Sequence, residues 1–296
     1  MNPAPTTEDR IWAVLSHLSA LTFGMGILLP VIGWAEQRRK SNYASFQCLQ
    51  ALGYQSLGYT VWFLFSGVLA IVFVIIMLPT LNAARVPNEM GNLVGNFVTF
   101  IFGLSGIYIL LPIIAAISCV VGKDFRYPFM GDRLARYLGY DLAKEEWPKE
   151  DHEHRWVAGM GHFAVIIALW GMLAPLAALL TQGKQNLFLK FQSIQTLIFQ
   201  ALITLFYFVA GLVYFFAIFL LFATTGLTRI SDFGSSMEMV GIVIFFVSLL
   251  IAFVVILAIP LMHILGQWAG YRVLKGDDYR YPLLGRLVER LISIQR

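Results

Sequence analysis

Polar and apolar residues alternate along this chain in long blocks rather than short ones. Six predominantly apolar runs occupy residues 11–35, 46–79, 95–121, 156–180, 191–223 and 239–271. A helix of about 20 apolar residues crosses a bilayer, and four of these runs exceed that length with room to spare. A surface helix of a soluble domain would carry a polar face; "VWFLFSGVLAIVFVIIMLP" carries none. The pattern predicts an all-α, polytopic membrane protein. The first run is interrupted at its centre, where "LTFGMGILLPVIGW" places Gly24, Gly26 and Pro30. Glycine loosens a helix and proline removes a backbone donor. The two halves, about 12 residues each, rise roughly 18 Å, well short of a hydrocarbon core of roughly 30 Å. A broken, re-entrant helical hairpin fits these lengths, and a single kinked span is the competing reading.

The blocks occur twice. At an offset of 145, Arg10, His17, Gly26, Pro30 and Gln37 meet Arg155, His162, Gly171, Pro175 and Gln182. In the same register Gln47, Gln50 and Gln55 meet Gln192, Gln195 and Gln200. Apolar matches between two leucine-rich helices mean little; matches at Arg, His, Pro and Gln mean a tandem duplication. Near the end of each unit the offset becomes 154, so that "DFRYPFMGDRLARYL" meets "DYRYPLLGRLVERLI". The second unit therefore carries nine extra residues, which the sequence places in its last long helix. The units are 8–140 and 153–296, joined by a charged linker at 141–152.

Charge then orients the chain. If every run crossed the membrane, the 21 Lys and Arg would divide almost evenly between the two faces. If the first run of each unit returns to its own side, 19 share one face and only Arg85 and Arg229 lie opposite. The positive-inside rule favours the second arrangement. It makes the repeats parallel, related by a pseudo-twofold axis along the membrane normal. Each repeat then has a hairpin, two transmembrane helices and an interfacial amphipathic tail helix, as in "GDRLARYLGY". Both termini face the cytoplasm of a bacterial cytoplasmic membrane, with Arg85 and Glu89 in a short loop on the far side. The start, "MNPAPTTEDR", lacks the basic region of a signal peptide.

Candidate chemistry is sparse. His17 and His162 occupy equivalent places at membrane depth, where an ionisable group suggests function. They either relay protons or hold a metal between the repeats, or they hydrogen-bond backbone at the broken turn. Neither has a Cys, Asp or second His at ligand spacing. Gln47, Gln50, Gln55, Gln192, Gln195 and Gln200 form either a polar path or braces for carbonyls freed by the hairpin break. In each "RYP", Arg126 or Arg280 can reach lipid phosphate, Tyr127 or Tyr281 suits the interface, and proline ends the helix. These four are expected as interfacial lipid anchors. "DHEHR" at 151–155 reads as solvated linker. Cys48 and Cys119 align with Ser193 and Val273 and are no part of the repeated design. No phosphate loop, GxSxG elbow or HExxH occurs. No enzyme activity, metal, cofactor or nucleic-acid partner is expected.

The set "DRIWAVLSHLSAL", "LLPVIGW", "FQCLQALGYQ" and "RYP" resembles a bacterial family of small membrane proteins of unknown function, met as single units of about 110 residues. That family is itself distantly similar to the four-helix subunit of the chloroplast inner-envelope import translocon. The resemblance covers most of the first repeat and weakens in the second, where "HRWVAGMGHFAVI" and "KFQSIQTLIFQ" remain. It implies the fold and the membrane location but no catalytic residues. The expected role is a non-catalytic structural or accessory subunit of a larger membrane complex, with other membrane subunits and anionic lipid headgroups as partners. The alternative is a conduit for protein segments or small solutes between the repeats.

Overall fold

The computed structural model describes residues 4–81, 87–230 and 235–294. Arg85 lies outside the described residues, as do the side chains of Glu89, Arg229 and Glu238. Among the described residues the regular structure is helical apart from one isolated bridge, Asp141 to Glu146. Repeat one contains α1 (Thr7–Leu18), a 3-10 stretch (Ser19–Ile27), α2 (Leu28–Gln37), α3 (Asn42–Leu81), α4 (Pro87–Val120) and α5 (Gly131–Leu138). Repeat two follows with α6 (Glu150–Phe163), a 3-10 stretch (Ala164–Met172), α7 (Leu173–Gln182), α8 (Leu187–Ile230), α9 (Ser235–Leu274) and α10 (Leu284–Ile294). α6 thus starts inside the stretch assigned to the linker.

The first run of each repeat doubles back. Gln37 Nε2 donates to Glu8 Oε1 at 2.9 Å, and Gly33 lies against Trp12 and Ser16. Residues 29 and about 20 positions apart thereby become neighbours, as only a hairpin allows. The break sits at Phe23 (φ 52, ψ −140) and, 145 residues on, at Ala168 (φ 48, ψ −131). It falls beside the glycines rather than on them. Gly26 and Gly171 serve a different need, because the turn presses them onto backbone. A Cβ on Gly26 would stand 1.8 Å from the Ser19 carbonyl oxygen, and one on Gly171 2.0 Å from that of Ala164. Pro30 and Pro175 do not break the run either. They stand in the first turn of α2 and α7, where a missing N–H costs no hydrogen bond.

α3 is 40 residues long, about 60 Å and twice the hydrocarbon thickness. Its first third, Tyr43 to Ser56, is buried against the hairpins, while Val61 to Ile76 presents apolar side chains outward. Among the described residues six stretches are long and apolar enough to cross a membrane, and two of them, Thr7–Gln37 and Glu150–Gln182, are the doubled-back hairpins. Among the described residues α8 is longer than α3, at 44 residues against 40, and α9 is longer than α4, at 40 against 34. α8 and α9 pack closely, whereas α3 and α4 touch at few points.

The charged ends gather on one level. Arg10 Nη1 donates to Val120 O (3.3 Å), and Tyr43 OH to Lys123 O (3.0 Å). In repeat two Arg155 Nη1 reaches Asp277 O (3.4 Å), and Tyr137 OH of repeat one reaches Leu274 O (3.2 Å). The repeats are therefore parallel. The tail helix α5 turns Leu134 and Leu138 into the main core, leaving Arg133 and Arg136 exposed.

The tight turns make a clear prediction. Gly26→Ala and Gly171→Ala place a methyl on a backbone oxygen and should each cost more than about 2 kcal/mol. Gly67→Ala, with open space around it, should be neutral or stabilising by up to about 1 kcal/mol. Thermal unfolding in detergent reads both, and equal midpoints for all three would contradict the hairpin geometry.

Candidate functional site: twin polar networks and the junction between repeats

One network is built twice. In repeat one, Gln47 Nε2 donates to Asp124 Oδ1 (2.9 Å) and to Phe125 O (3.1 Å), which fixes the direction of its amide. Its Oε1 must then accept, and it lies 3.0 Å from His17 Nε2. That nitrogen carries the proton, so Nδ1 accepts from Tyr127 OH at 3.0 Å. Gln50 Nε2 donates to Gln47 Oε1 (3.2 Å) and Phe125 O (2.9 Å), while its Oε1 accepts from Tyr127 N (2.9 Å). Repeat two copies each contact. His162 meets Gln192 Oε1 (3.0 Å) and Tyr281 OH (2.9 Å), and Gln192 Nε2 meets Asp278 Oδ1 (2.9 Å) and Tyr279 O (3.1 Å). Gln195 again bridges Gln192, Tyr279 O and the Tyr281 backbone N–H. A threonine, Thr196, adds a hydroxyl 3.0 Å from His162 Nδ1.

The third glutamine of each set works on the hairpin. Gln55 Nε2 donates to Ser16 O (3.2 Å) and Ser19 Oγ (2.9 Å), and Gln200 Nε2 to Gly161 O (2.9 Å). These acceptors lie in the last turn of α1 and α6 and at the start of the 3-10 turn, where backbone carbonyls lose helical partners. All six glutamines and both histidines are buried. They line no open path, and the histidines bond side chains rather than turn backbone. Every ring nitrogen of the pair has a hydrogen-bond partner within its own repeat.

The anchor reading of "RYP" changes. Tyr127 and Tyr281 are buried to 3% and 2% exposure, stacked on Tyr54 (4.2 Å) and Phe199 (4.0 Å). They close the histidine networks instead of meeting lipid. Arg126 pairs with Asp124 and Asp132, and Arg280 with Asp278 and Glu289. Asp124 receives Gln47, Arg126 and the Tyr140 hydroxyl together. Burial pushes its carboxyl up from the ordinary 3.8, against the opposing pull of Arg126.

The second arrangement joins the repeats and has no twin. Arg38, at the end of α2, is buried over the Trp34 ring (5.0 Å). Its Nη1 lies 2.8 Å from His154 Nε2 and donates to Gln182 Oε1 at 2.9 Å, while Nη2 reaches Glu150 Oε1 at 2.8 Å. Glu153, 3.5 Å from Arg38 Nε, also accepts from Ser45 Oγ at 2.9 Å. "DHEHR" is thus no solvated linker: Glu153 and His154 are each 3% exposed. Trp156 Nε1 donates to Leu49 O at 2.9 Å, and its ring fills the space left by Gly53.

The expected twofold axis fails at this junction. α3 packs on α6 and on the second 3-10 stretch, but among the described residues α8 does not pack on α1 or the first one. The reason is in the aligned residues: Arg38, Gly53 and Trp156 correspond to Gly183, Ile198 and Ile11. Without the cation, the gap and the ring, the mirror contact cannot form. Those departures from the repeat were the readable signal for the junction.

Fold and networks together define a class: a duplicated, all-helical membrane protein whose two parallel units are fused by a buried ionic junction. The chain belongs to the magnetosome magnetite crystal formation protein family, which it matches over residues 8–134 and again over 153–288. Each match falls on one repeat. Neither a curated protein nor a solved structure matches the chain.

Two measurements test this chemistry. Because the folded value for Asp124 lies above the unfolded one, its contribution to stability is full below about pH 4 and is lost as pH rises through the folded value. Asp124→Asn keeps an acceptor for Gln47 and should flatten the fall in unfolding temperature as pH rises above about 4; an unchanged slope would refute it. Arg38→Ala strands Glu153 and should cost about 3 kcal/mol or more. Adding Glu153→Gln should recover part of that loss, since the two changes share one contact. Additive losses would show that the pair is not coupled.

Proposed function

We propose that this chain is a non-catalytic membrane component of magnetite crystal formation, acting as one two-repeat body within a larger membrane assembly. The observation that carries this reading is the family match over both repeats. The polar side chains available for chemistry at membrane depth support it, because His17, His162 and the six glutamines are engaged in binding the helices to one another. What remains for a partner is the apolar outer surface of α3, α4, α8 and α9 and the basic end. We place that end on the cytoplasmic side of a bacterial membrane, with each hairpin re-entrant from it. The shared level of the helix ends and the short half-helices, of 12 and 10 residues in repeat one, favour this placement. Other membrane subunits and anionic lipids are the partners it suits.

The conduit reading, prompted by likeness to the chloroplast import-channel subunit, would need a hydrated path lined by Gln47 and Gln192. Those amides are spent on Asp124, Phe125, Asp278 and Tyr279, and the reading is set aside.

Deleting the gene in a magnetite-forming host should change crystal size or number in electron micrographs, and the full chain should restore them. The Arg38→Ala chain should restore them only in part. Unaltered crystals after deletion would end the proposal. Purification in mild detergent should bring down membrane subunits in fixed ratio, and a chain that always purifies alone would argue against an accessory role.

A further inference from the structure

The residue after each "RYP" is the most exposed large apolar side chain among the described residues of its repeat. Phe129 is 90% exposed and Leu283 83%, and they align at the offset of 154. Both hold a left-handed backbone, φ 64 and φ 67, which L-residues other than Asn and Asp rarely adopt. Both sit in the same three-residue turn, closed by Met130 N–H to Pro128 O and by Leu284 N–H to Pro282 O, each 2.8 Å. A glycine would suit such a turn. Instead the chain twice places a large apolar side chain there and leaves it uncovered.

The mounting is rigid. Two residues back, Tyr127 and Tyr281 are held by His17 and His162, and their backbone N–H groups by Gln50 and Gln195. Two residues on, Gly131 and Gly285 press against the Arg126 and Arg280 side chains. The segment also climbs. It leaves the Tyr43 hydroxyl at Lys123, passes Gln47 and Gln50 at Phe125, and stacks Tyr127 on Tyr54. That is eleven residues of α3, about 16 Å along its axis. Tyr127 therefore stands about two turns below Val61, where the outward apolar face of α3 begins, and Phe129 follows two residues later. In repeat two Tyr281 stacks on Phe199, in step with the apolar face of α8 that opens at Leu205.

The charges nearby have one sign to spare. Arg126 and Arg280 are neutralised by Asp124, Asp132, Asp278 and Glu289. Arg133, Arg136, Arg286 and Arg290 are exposed, and none forms an ion pair with a carboxylate among the described residues.

We propose that Phe129 and Leu283 are paired teeth that insert into the headgroup–acyl boundary of an anionic leaflet on the basic face, with these arginines on the lipid phosphates. An apolar tip beside unpaired cations, at the edge of an apolar band, matches that layer and no aqueous one. The proposal rests on the placement of the basic end at a membrane surface given above.

Nitroxide labels on Phe129→Cys, Leu283→Cys, Phe65→Cys and Ala143→Cys, in vesicles of phosphatidylcholine and phosphatidylglycerol, test it. Collision with oxygen is compared with collision with a water-soluble nickel complex. Labels at 129 and 283 should favour oxygen over nickel, between the mid-bilayer value at 65 and the aqueous value at the exposed Ala143 position. A nickel preference at 129 and 283 equal to that at 143 overturns the proposal. Shielding from both reagents also overturns it, in favour of contact with a second copy of the chain. Nickel access at 65 would overturn the bilayer placement of α3 itself, and the teeth with it. Phe129→Gly with Leu283→Gly suits the left-handed turn and should keep the wild-type unfolding midpoint while retaining less phosphatidylglycerol in native mass spectrometry. Unchanged lipid retention in that folded protein contradicts insertion.

Discussion

A helix broken among apolar side chains must find new partners for its freed backbone groups within the protein, because neither lipid nor a packed core supplies them. This chain meets that demand with amides. Gln55 and Gln200 reach the last turns of α1 and α6, and a second tier of glutamines ties the adjoining histidine to a tyrosine more than a hundred residues away. The same tier holds α3 and α8 to the segments that follow α4 and α9. The hairpin, the long helices and the tail are therefore one hydrogen-bonded unit, and the buried polar groups specify how they meet.

Duplication supplied two such units, and divergence made them unequal. A symmetric pair would form its interhelical contact twice. Here the contact forms once, through Arg38, Gly53 and Trp156, and the aligned positions hold Gly183, Ile198 and Ile11. The cation and the gap are lost from repeat two and the ring from repeat one, so the contact forms between α3 and α6 and has no counterpart between α8 and α1 among the described residues. The junction also explains why α3 and α4 stay apart while α8 and α9 embrace: α3 leans on α6 of the other repeat.

Family membership places the chain among proteins of magnetite crystal formation, and the structure bears on how such a protein is built. Its polar interior is committed to holding helices together. Its outer surface is the apolar sides of the long helices and the basic end.

Much of this was legible in the sequence. Six apolar runs, the tandem register of His17 and His162 with their glutamines, and the break in the first run all follow from local pattern, since helix length and period are properties of short segments. The glycines and prolines announced a break within a few residues of Phe23, though the chain turns at Phe23 and uses Gly26 for close approach. What occupies the histidine nitrogens was not legible. Tyr127 and Tyr281 read as interfacial residues by type and by position after a span, and only the return of that segment along α3 and α8 buries them. Arg38 likewise read as one charge in a basic turn. Its partners lie in another repeat, and the sequence marked the contact only by what the second repeat lacks. Local pattern fixes which segments are helices and where they must bend, because those choices depend on near neighbours. Which polar side chain meets which, and whether two repeats pair symmetrically, depends on packing between segments a hundred residues apart, and there the tertiary structure alone decides.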